Sequence, residues 1–140
     1  MKALYVESSA VLRWLLAEPS GEEVLRKMGS YEPVVSSVLT LVETQRALAR
    51  FERQGALKAA QSQRLAAMFL READSWTLLD LTRPILERAA GAFPVEPLRT
   101  LDALHLATAL EFLRLYDHLA ILSCDQRILS NLPALGLPAA

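Results

Sequence analysis

The stretch LYVESSA, residues 4–10, carries the pattern that decides the fold. Its apolar part has the length and composition of a short buried strand, and Glu7 stands where the run ends. Ser8 or Ser9 is suited to cap a helix, and the amphipathic residues 10–16 that follow have helical spacing. The stretch therefore predicts a strand, a sharp transition at a carboxylate, and a helix.

The rest of the chain repeats this alternation of strands and helices. Three further strand-like runs occur, one within YEPVVSS at residues 31–37, one at residues 76–80 and one in LAILSCD at residues 119–125. Helices are predicted at residues 22–28, 37–54 and 57–73, after a cap at Thr82, after a cap at Thr100, and briefly in QRILSN, before a tail broken by Pro and Gly. Strands that alternate with helices predict an α/β protein with a parallel sheet covered on both faces.

Composition excludes several classes of protein. The 140 residues fit one domain, and the formal net charge of −1 means that any nucleic-acid binding depends on a local patch. Cys124 is the only cysteine and the chain has two histidines, which disfavours disulfides and zinc sites. No stretch approaches the roughly 20 apolar residues of a membrane helix. We expect a cytoplasmic protein that does not contact a membrane.

Four acidic residues are predicted to meet at one edge of the sheet. Glu7 and Asp125 directly follow strands, while Glu43 and Asp102 lie early in helices that begin at the same edge. Ligands of open α/β sheets bind beyond the carboxyl ends of the strands. Clustered carboxylates favour a hard divalent cation such as Mg²⁺ or Mn²⁺, because like charges resist ionising together. The expected chemistry is metal-assisted cleavage of a phosphodiester or phosphoryl transfer.

Each of these residues also has a purely structural interpretation. Asp102 can complement a helix dipole, and Asp125 can cap the short QRILSN helix. Glu43 can pair with Arg46 on its own helix, and the glutamate after the first strand can be an ordinary loop residue. His105, three residues after Asp102, is expected to be a packed core histidine. Spacing alone leaves the functional and structural interpretations open.

Four motifs extend the argument beyond spacing. They are YVESSAVLRWLLAEP, VVSSVLTLVETQRALAR, LRTLDALHLATAL and ILSCDQRI, and together they span nearly the whole chain. In this order they resemble the PIN-domain family, in the VapC-like toxin branch of type II toxin–antitoxin systems. The resemblance implies that residues 1–140 form one PIN-like nuclease domain, a three-layer α/β/α sandwich on a short parallel sheet. It further implies an endoribonuclease that depends on Mg²⁺ or Mn²⁺, forms a homodimer and is inhibited by a cognate antitoxin.

The resemblance also assigns roles to residues. The four catalytic acidic positions fall, in order, on Glu7, Glu43, Asp102 and Asp125. Three of them, Glu7, Asp102 and Asp125, become the expected metal ligands, and the supporting hydroxyl falls on Ser8 or Ser9. Arginines near these acids are candidates for holding RNA phosphates by bidentate contacts, namely Arg46, Arg50, Arg99 and Arg127. Their alternative role is to neutralise neighbouring acids or to solvate helix surfaces.

One departure from the family pattern concerns the first acid. The family normally has aspartate there, and Glu7 adds one methylene to the side chain. Since Mg²⁺ demands near-ideal octahedral geometry, the change leaves a second possibility open: a weakened or inactive PIN-fold protein that binds antitoxin or RNA. A phosphoacceptor receiver domain is excluded, because Ser8 replaces the second acid it needs and no lysine follows Lys58.

Overall fold

A computed structural model describes residues 2–140, within which four strands form one sheet. The strands are β1 (Ala3–Val6), β2 (Val34–Ser37), β3 (Thr77–Leu79) and β4 (Leu119–Leu122). Their order is β3-β2-β1-β4, and every pairing is parallel. The central β1 is wholly buried, as a strand of a parallel sheet covered on both faces should be.

Helices connect the strands and continue to the end of the chain. They are α1 (Ser8–Leu15), α2 (Gly21–Ser30), α3 (Val38–Arg53), α4 (Ala59–Ala73), α5 (Arg83–Ala89), α6 (Thr100–Leu115) and α7 (Gln126–Leu135). Among residues 2–140, none of these helices has the length and apolar character needed to cross a bilayer.

Two hydrophobic clusters lie on opposite faces of the sheet. Leu4 and Val6 of β1 pack into one cluster with residues of α1 to α4. Ala3 and Tyr5, which point to the other face, pack with residues of α6 and α7. This alternation along a single buried strand produces three layers, so the predicted α/β/α sandwich is confirmed.

Several helix boundaries differ from the sequence prediction. Glu7, and not a serine, is the N-cap of α1, because the helix already begins at Ser8 and the Glu7 carboxylate accepts from the backbone N–H of Ser9. At α6 the cap position is Arg99, and Thr100 is already helical. The short helix predicted at QRILSN is longer than expected, since α7 continues through Pro133 and ends before a left-handed Gly136.

The segment after α7 returns to the sheet. Ala139 forms a parallel bridge with Ile121, and the backbone N–H of Ile121 donates to Pro138 O. This contact covers the outer edge of β4, which a composition-based reading of the tail does not predict.

Candidate active site

The carboxyl ends of the strands border a cavity of about 360 Å³. All four acids singled out in the sequence line it, with Ser8, Ser9 and Arg99 among their neighbours. The topology explains this convergence, since each acid lies at the end of a parallel strand or near the start of a helix. Residues separated by more than 100 positions thereby share one small space.

The Glu7 carboxylate is buried and held by three serines. Its Oε1 accepts from Ser8 Oγ at 2.9 Å and from the Ser9 backbone N–H at 3.1 Å. Its Oε2 accepts from Ser123 Oγ at 2.7 Å and from Ser9 Oγ. The side chain is 4% exposed, so these bonds replace the water that a buried carboxylate loses.

Ser123 is a member of this arrangement that sequence reasoning missed. It directly follows β4, and its Oγ also accepts from the backbone N–H of Asp125 at 3.1 Å. The Cys124 N–H donates to Ser9 Oγ at 2.9 Å, which ties the β4–α7 turn to the start of α1. The sequence did contain a signal for Ser123, because this small hydroxyl residue lies between the fourth strand and the candidate ligand Asp125.

Asp102 and Asp125 face the same arginine. Arg99 Nε lies 3.7 Å from Asp102 Oδ2, and Arg99 Nη2 lies 3.9 Å from Asp125 Oδ2. Burial raises the pKa of Asp102, and the Asp125 charge raises it further, while Arg99 opposes both effects. Asp102 Oδ2 is buried and has no hydrogen-bond partner among the described residues. An unsatisfied buried oxygen of this kind is the clearest sign of a site built for another group.

Asp125 fulfils its structural interpretation in the same position. It is the N-cap of α7, where its Oδ1 accepts from the Arg127 backbone N–H at 2.8 Å. The other oxygen, Oδ2, is the one that faces Arg99. Capping and a place in the cavity are therefore compatible, because they use different oxygens.

Glu43 is joined to two buried aromatic side chains. His105 Nε2 lies 2.5 Å from Glu43 Oε1, and the Tyr5 hydroxyl lies 2.7 Å from His105 Nδ1. The expected packing of His105 in the core is confirmed by its 2% exposure. The alternative pairing of Glu43 with Arg46 does not form within residues 2–140, where the side chain that contacts the Glu43 carboxylate is His105.

The four candidate arginines occupy different surroundings. Arg46 and Arg50 line a groove of about 330 Å³. The groove adjoins the cavity, because Ser8, Glu43 and Leu101 line both. Arg99 is in the cavity itself. Arg127 is exposed, and its contact with the site is the backbone bond to Asp125.

The donor set is compatible with a divalent cation of the Mg²⁺ type. Its ligating atoms are carboxylate oxygens, and one of them, Asp102 Oδ2, lacks a hydrogen-bond partner within residues 2–140. Over the same residues, no three His, Cys, Asp or Glu side chains form a ready-made ion site. The contacts explain why: Arg99 lies beside both aspartates, and serines already engage Glu7. Asp102 and Asp125 therefore fit the ion as they stand better than Glu7 does.

Fold and site together define a class of protein, the small α/β domains that gather carboxylates at the carboxyl edge of a parallel sheet. Within that class, residues 4–134 match the family model described as PIN domain. The chain belongs to the PIN domain family, as its four motifs indicated.

Individual relatives agree with this assignment. The chain is 38% identical over 109 residues to Ribonuclease VapC46 of Mycobacterium tuberculosis, and the aligned region covers 78% of this chain and 75% of the relative. It is 30% identical over 141 residues to Ribonuclease VapC47 of the same species, covering 98% and 95%. The structure of a toxin–antitoxin complex from Klebsiella pneumoniae has a similar fold, with a TM-score of 0.63 at 20% identity over 94% and 93% of the two chains. The resemblance to the VapC-like branch is thus confirmed.

Proposed function

We propose that this protein is a ribonuclease toxin that cleaves RNA phosphodiesters with the help of Mg²⁺ or Mn²⁺. The observation that carries the proposal is the convergence of four carboxylates on one cavity, with Asp102 Oδ2 buried and lacking a hydrogen-bond partner among the described residues. The similarity to two proteins named as ribonucleases supports RNA as the substrate class.

Asp102 and Asp125 would hold the ion, with Glu7 completing its surroundings. When bound, the ion supplies charge stabilisation for the phosphoryl oxygens and an acidified water. Arg99, which is exposed and faces both aspartates, is suited to exchange that contact for an RNA phosphate. Glu43 orients the attacking water as a hydrogen-bond acceptor, and Arg46 and Arg50 hold the strand along the adjoining groove.

Cleavage of a labelled RNA pool tests the proposal. Wild-type protein with Mn²⁺ or Mg²⁺ should cleave, EDTA should abolish cleavage, and Asp102→Asn should reduce kcat by about 10²-fold or more, because a negative oxygen of the ion site is lost. Asp117→Asn is the matched control, since Asp117 is exposed and precedes β4 at the opposite edge of the sheet. Equal cleavage by Asp102→Asn and wild type would overturn the proposal.

A second candidate is supported by the serine contacts of Glu7. If its carboxylate stays engaged by Ser8, Ser9 and Ser123, the protein acts as a binding module with little or no cleavage. Titrating Mn²⁺ into the purified protein separates the two candidates. Ion binding accompanied by cleavage supports the nuclease, and RNA binding without cleavage at saturating Mn²⁺ supports the module.

The proposed partners are a cognate antitoxin and a second copy of the chain. The toxin–antitoxin assembly named for the Klebsiella pneumoniae structure supports an antitoxin, although that similarity establishes the fold alone. In size-exclusion chromatography with light scattering, a homodimer would have twice the 15.5 kDa mass of the chain. A mass of one chain at micromolar concentration would remove the dimer from the proposal.

A further inference from the structure

A hydrogen-bonded series of three side chains links both helical layers at the carboxyl edge of the sheet. Tyr5 belongs to β1, His105 to α6 and Glu43 to α3. The helices α3 and α6 pack on opposite faces of the sheet, so the series spans from one layer to the other. Of its members, Glu43 alone lines the candidate site.

The arrangement fixes which atom of the histidine carries hydrogen. His105 Nε2 lies 2.5 Å from Glu43 Oε1, and a carboxylate oxygen can only accept, so Nε2 is the ring nitrogen that donates a hydrogen to Glu43. In the neutral ring Nδ1 is then the acceptor. The Tyr5 hydroxyl, which is 1% exposed and 2.7 Å from Nδ1, is placed to donate to it.

This donor acts on a single oxygen of Glu43. The hydrogen bonds formed within residues 2–140 engage Oε1, and Oε2 receives none of them. A carboxylate that is clamped at one oxygen and free at the other has a defined direction in which it can accept a hydrogen bond. Such a bond from a histidine that is itself oriented by a hydroxyl orders the acid without contacting the substrate.

We propose that His105 is a positioning residue that fixes the Glu43 carboxylate in the site, with Tyr5 fixing the orientation of the imidazole. The inference rests on the proposed function for its effect on cleavage, since Glu43 is the member that reaches the cavity. Its structural part, the hydrogen on Nε2 and the ordering of Glu43, does not depend on that function.

Paired kinetic and spectroscopic measurements test both parts. His105→Ala should lower kcat for RNA cleavage by roughly 10- to 100-fold with KM within about twofold of wild type, as expected for loss of an orienting partner. His105→Gln should recover most of kcat, because its amide can donate to Glu43 and accept from Tyr5. His118→Ala is the matched control, since His118 is exposed and lies before β4.

The ¹⁵N spectrum of the imidazole is the readout independent of activity. We expect the spectrum to show hydrogen on His105 Nε2. We also expect NMR relaxation of the Glu43 Cγ methylene to report faster side-chain motion in His105→Ala than in wild type, and unchanged motion in His105→Gln. An Nε2 without hydrogen, or Glu43 motion equal in His105→Ala and wild type, overturns it. If wild type cleaves no RNA, the proposed function fails and these spectra alone decide. If wild type cleaves and His105→Ala matches its kcat, the inference fails alone.

Discussion

Glu7 faces two requirements, the capping of α1 and the proposed contact with an ion, and both of its oxygens already accept hydrogen bonds. Its carboxylate caps α1 and also accepts hydroxyl hydrogens from three serines. Asp125 meets the same two requirements with separate oxygens, one for the cap and one facing Arg99. Glu7 Oε2 reaches Ser123 on the far side of the turn, where it accepts a hydrogen bond of 2.7 Å.

Shortening this side chain should therefore release an oxygen to the cavity. We expect Glu7→Asp to raise the cleavage rate at saturating Mn²⁺ by about tenfold, since a displacement of ~1 Å can change rates by as much as about 10²-fold. Single-turnover cleavage of the RNA pool measures it. Glu7→Gln, which keeps the length and loses the charge, should stay at or below wild type. An unchanged rate in Glu7→Asp would show that the contacts between Glu7 and the serines do not limit the rate of cleavage.

Asp102 should destabilise the fold at neutral pH. Because its folded pKa is raised, the native carboxyl holds its proton at pH values where the unfolded chain has lost it. Its contribution to stability is thus present at acid pH and is lost as the pH rises through the folded pKa. Active sites commonly accept such a cost, since a desolvated carboxylate binds a cation strongly.

The corresponding prediction concerns Asp102→Asn, which removes the charge. At pH 7 the free energy of unfolding should rise by about 1 kcal/mol, because the neutral amide avoids the cost of burying a negative charge beside Asp125. The gain should shrink as the pH falls through the raised pKa of Asp102, and it should be absent well below about 4, where the carboxyl is neutral in both the folded and the unfolded chain. Urea unfolding at both pH values measures it, with Asp117→Asn expected to change stability by less than about 0.5 kcal/mol. A variant less stable than wild type at pH 7 would contradict the argument.

Among the elements, the segment between α5 and α6 determines where Arg99 lies. Asn131 of α7 is fully buried and holds this segment through Val95, whose N–H donates to Oδ1 at 2.8 Å and whose carbonyl accepts from Nδ2 at 3.0 Å. Nδ2 also donates to Arg127 O at 2.9 Å. One amide thus ties an irregular segment to a helix that begins at Asp125.

Asn131→Ala should lower the free energy of unfolding by about 2–3 kcal/mol, because it removes the three hydrogen bonds made by a fully buried amide. Urea unfolding measures the loss. Ser130→Ala is the adjacent control: its exposed hydroxyl bonds within α7, and removing it should cost less than about 0.5 kcal/mol. Equal stabilities of the two variants would show that Asn131 does not hold the segment.

For the whole molecule, charge distribution matters more than net charge. The formal net charge is −1, so no global field draws RNA to the protein. The exposed Arg46 and Arg50 lie on one face of α3 beside the groove that adjoins the cavity. The proposed binding of RNA would therefore depend on a local strip, Arg46 and Arg50, whose contribution salt can screen.

Replacing Arg46 and Arg50 together by alanine should raise KM while changing kcat little. A plot of the logarithm of the RNA association constant against the logarithm of the salt concentration should become shallower by about 1.4. This is about 0.7 for each lost phosphate contact with single-stranded RNA. Binding measured across a salt series provides the slope. The pair Arg64 and Arg71 on α4 gives a control with the same change of net charge. An equal change of slope in both double variants would mean that Arg46 and Arg50 do not form a specific contact surface for RNA.

The sequence by itself determined the sheet, its parallel sense and the edge at which the acids gather. Buried apolar runs alternating with amphipathic segments leave few other arrangements, and strand ends in such a sheet share one edge. The four acids could be named because each is adjacent to a predicted boundary. Local patterns also indicated that His105 is buried, since its neighbours in α6 are apolar.

Tertiary structure alone decided which side chains bond to which. Ser123 meets Glu7, Tyr5 meets His105, and His105 meets Glu43, only because β1, β4, α3 and α6 converge. Partners that are 62 to 116 residues apart leave no periodic trace in the chain. Likewise the return of the tail to β4 depends on an open strand edge that no local pattern encodes. Periodicity reports which face of an element is buried, whereas hydrogen-bond partners depend on distances of a few ångströms between elements.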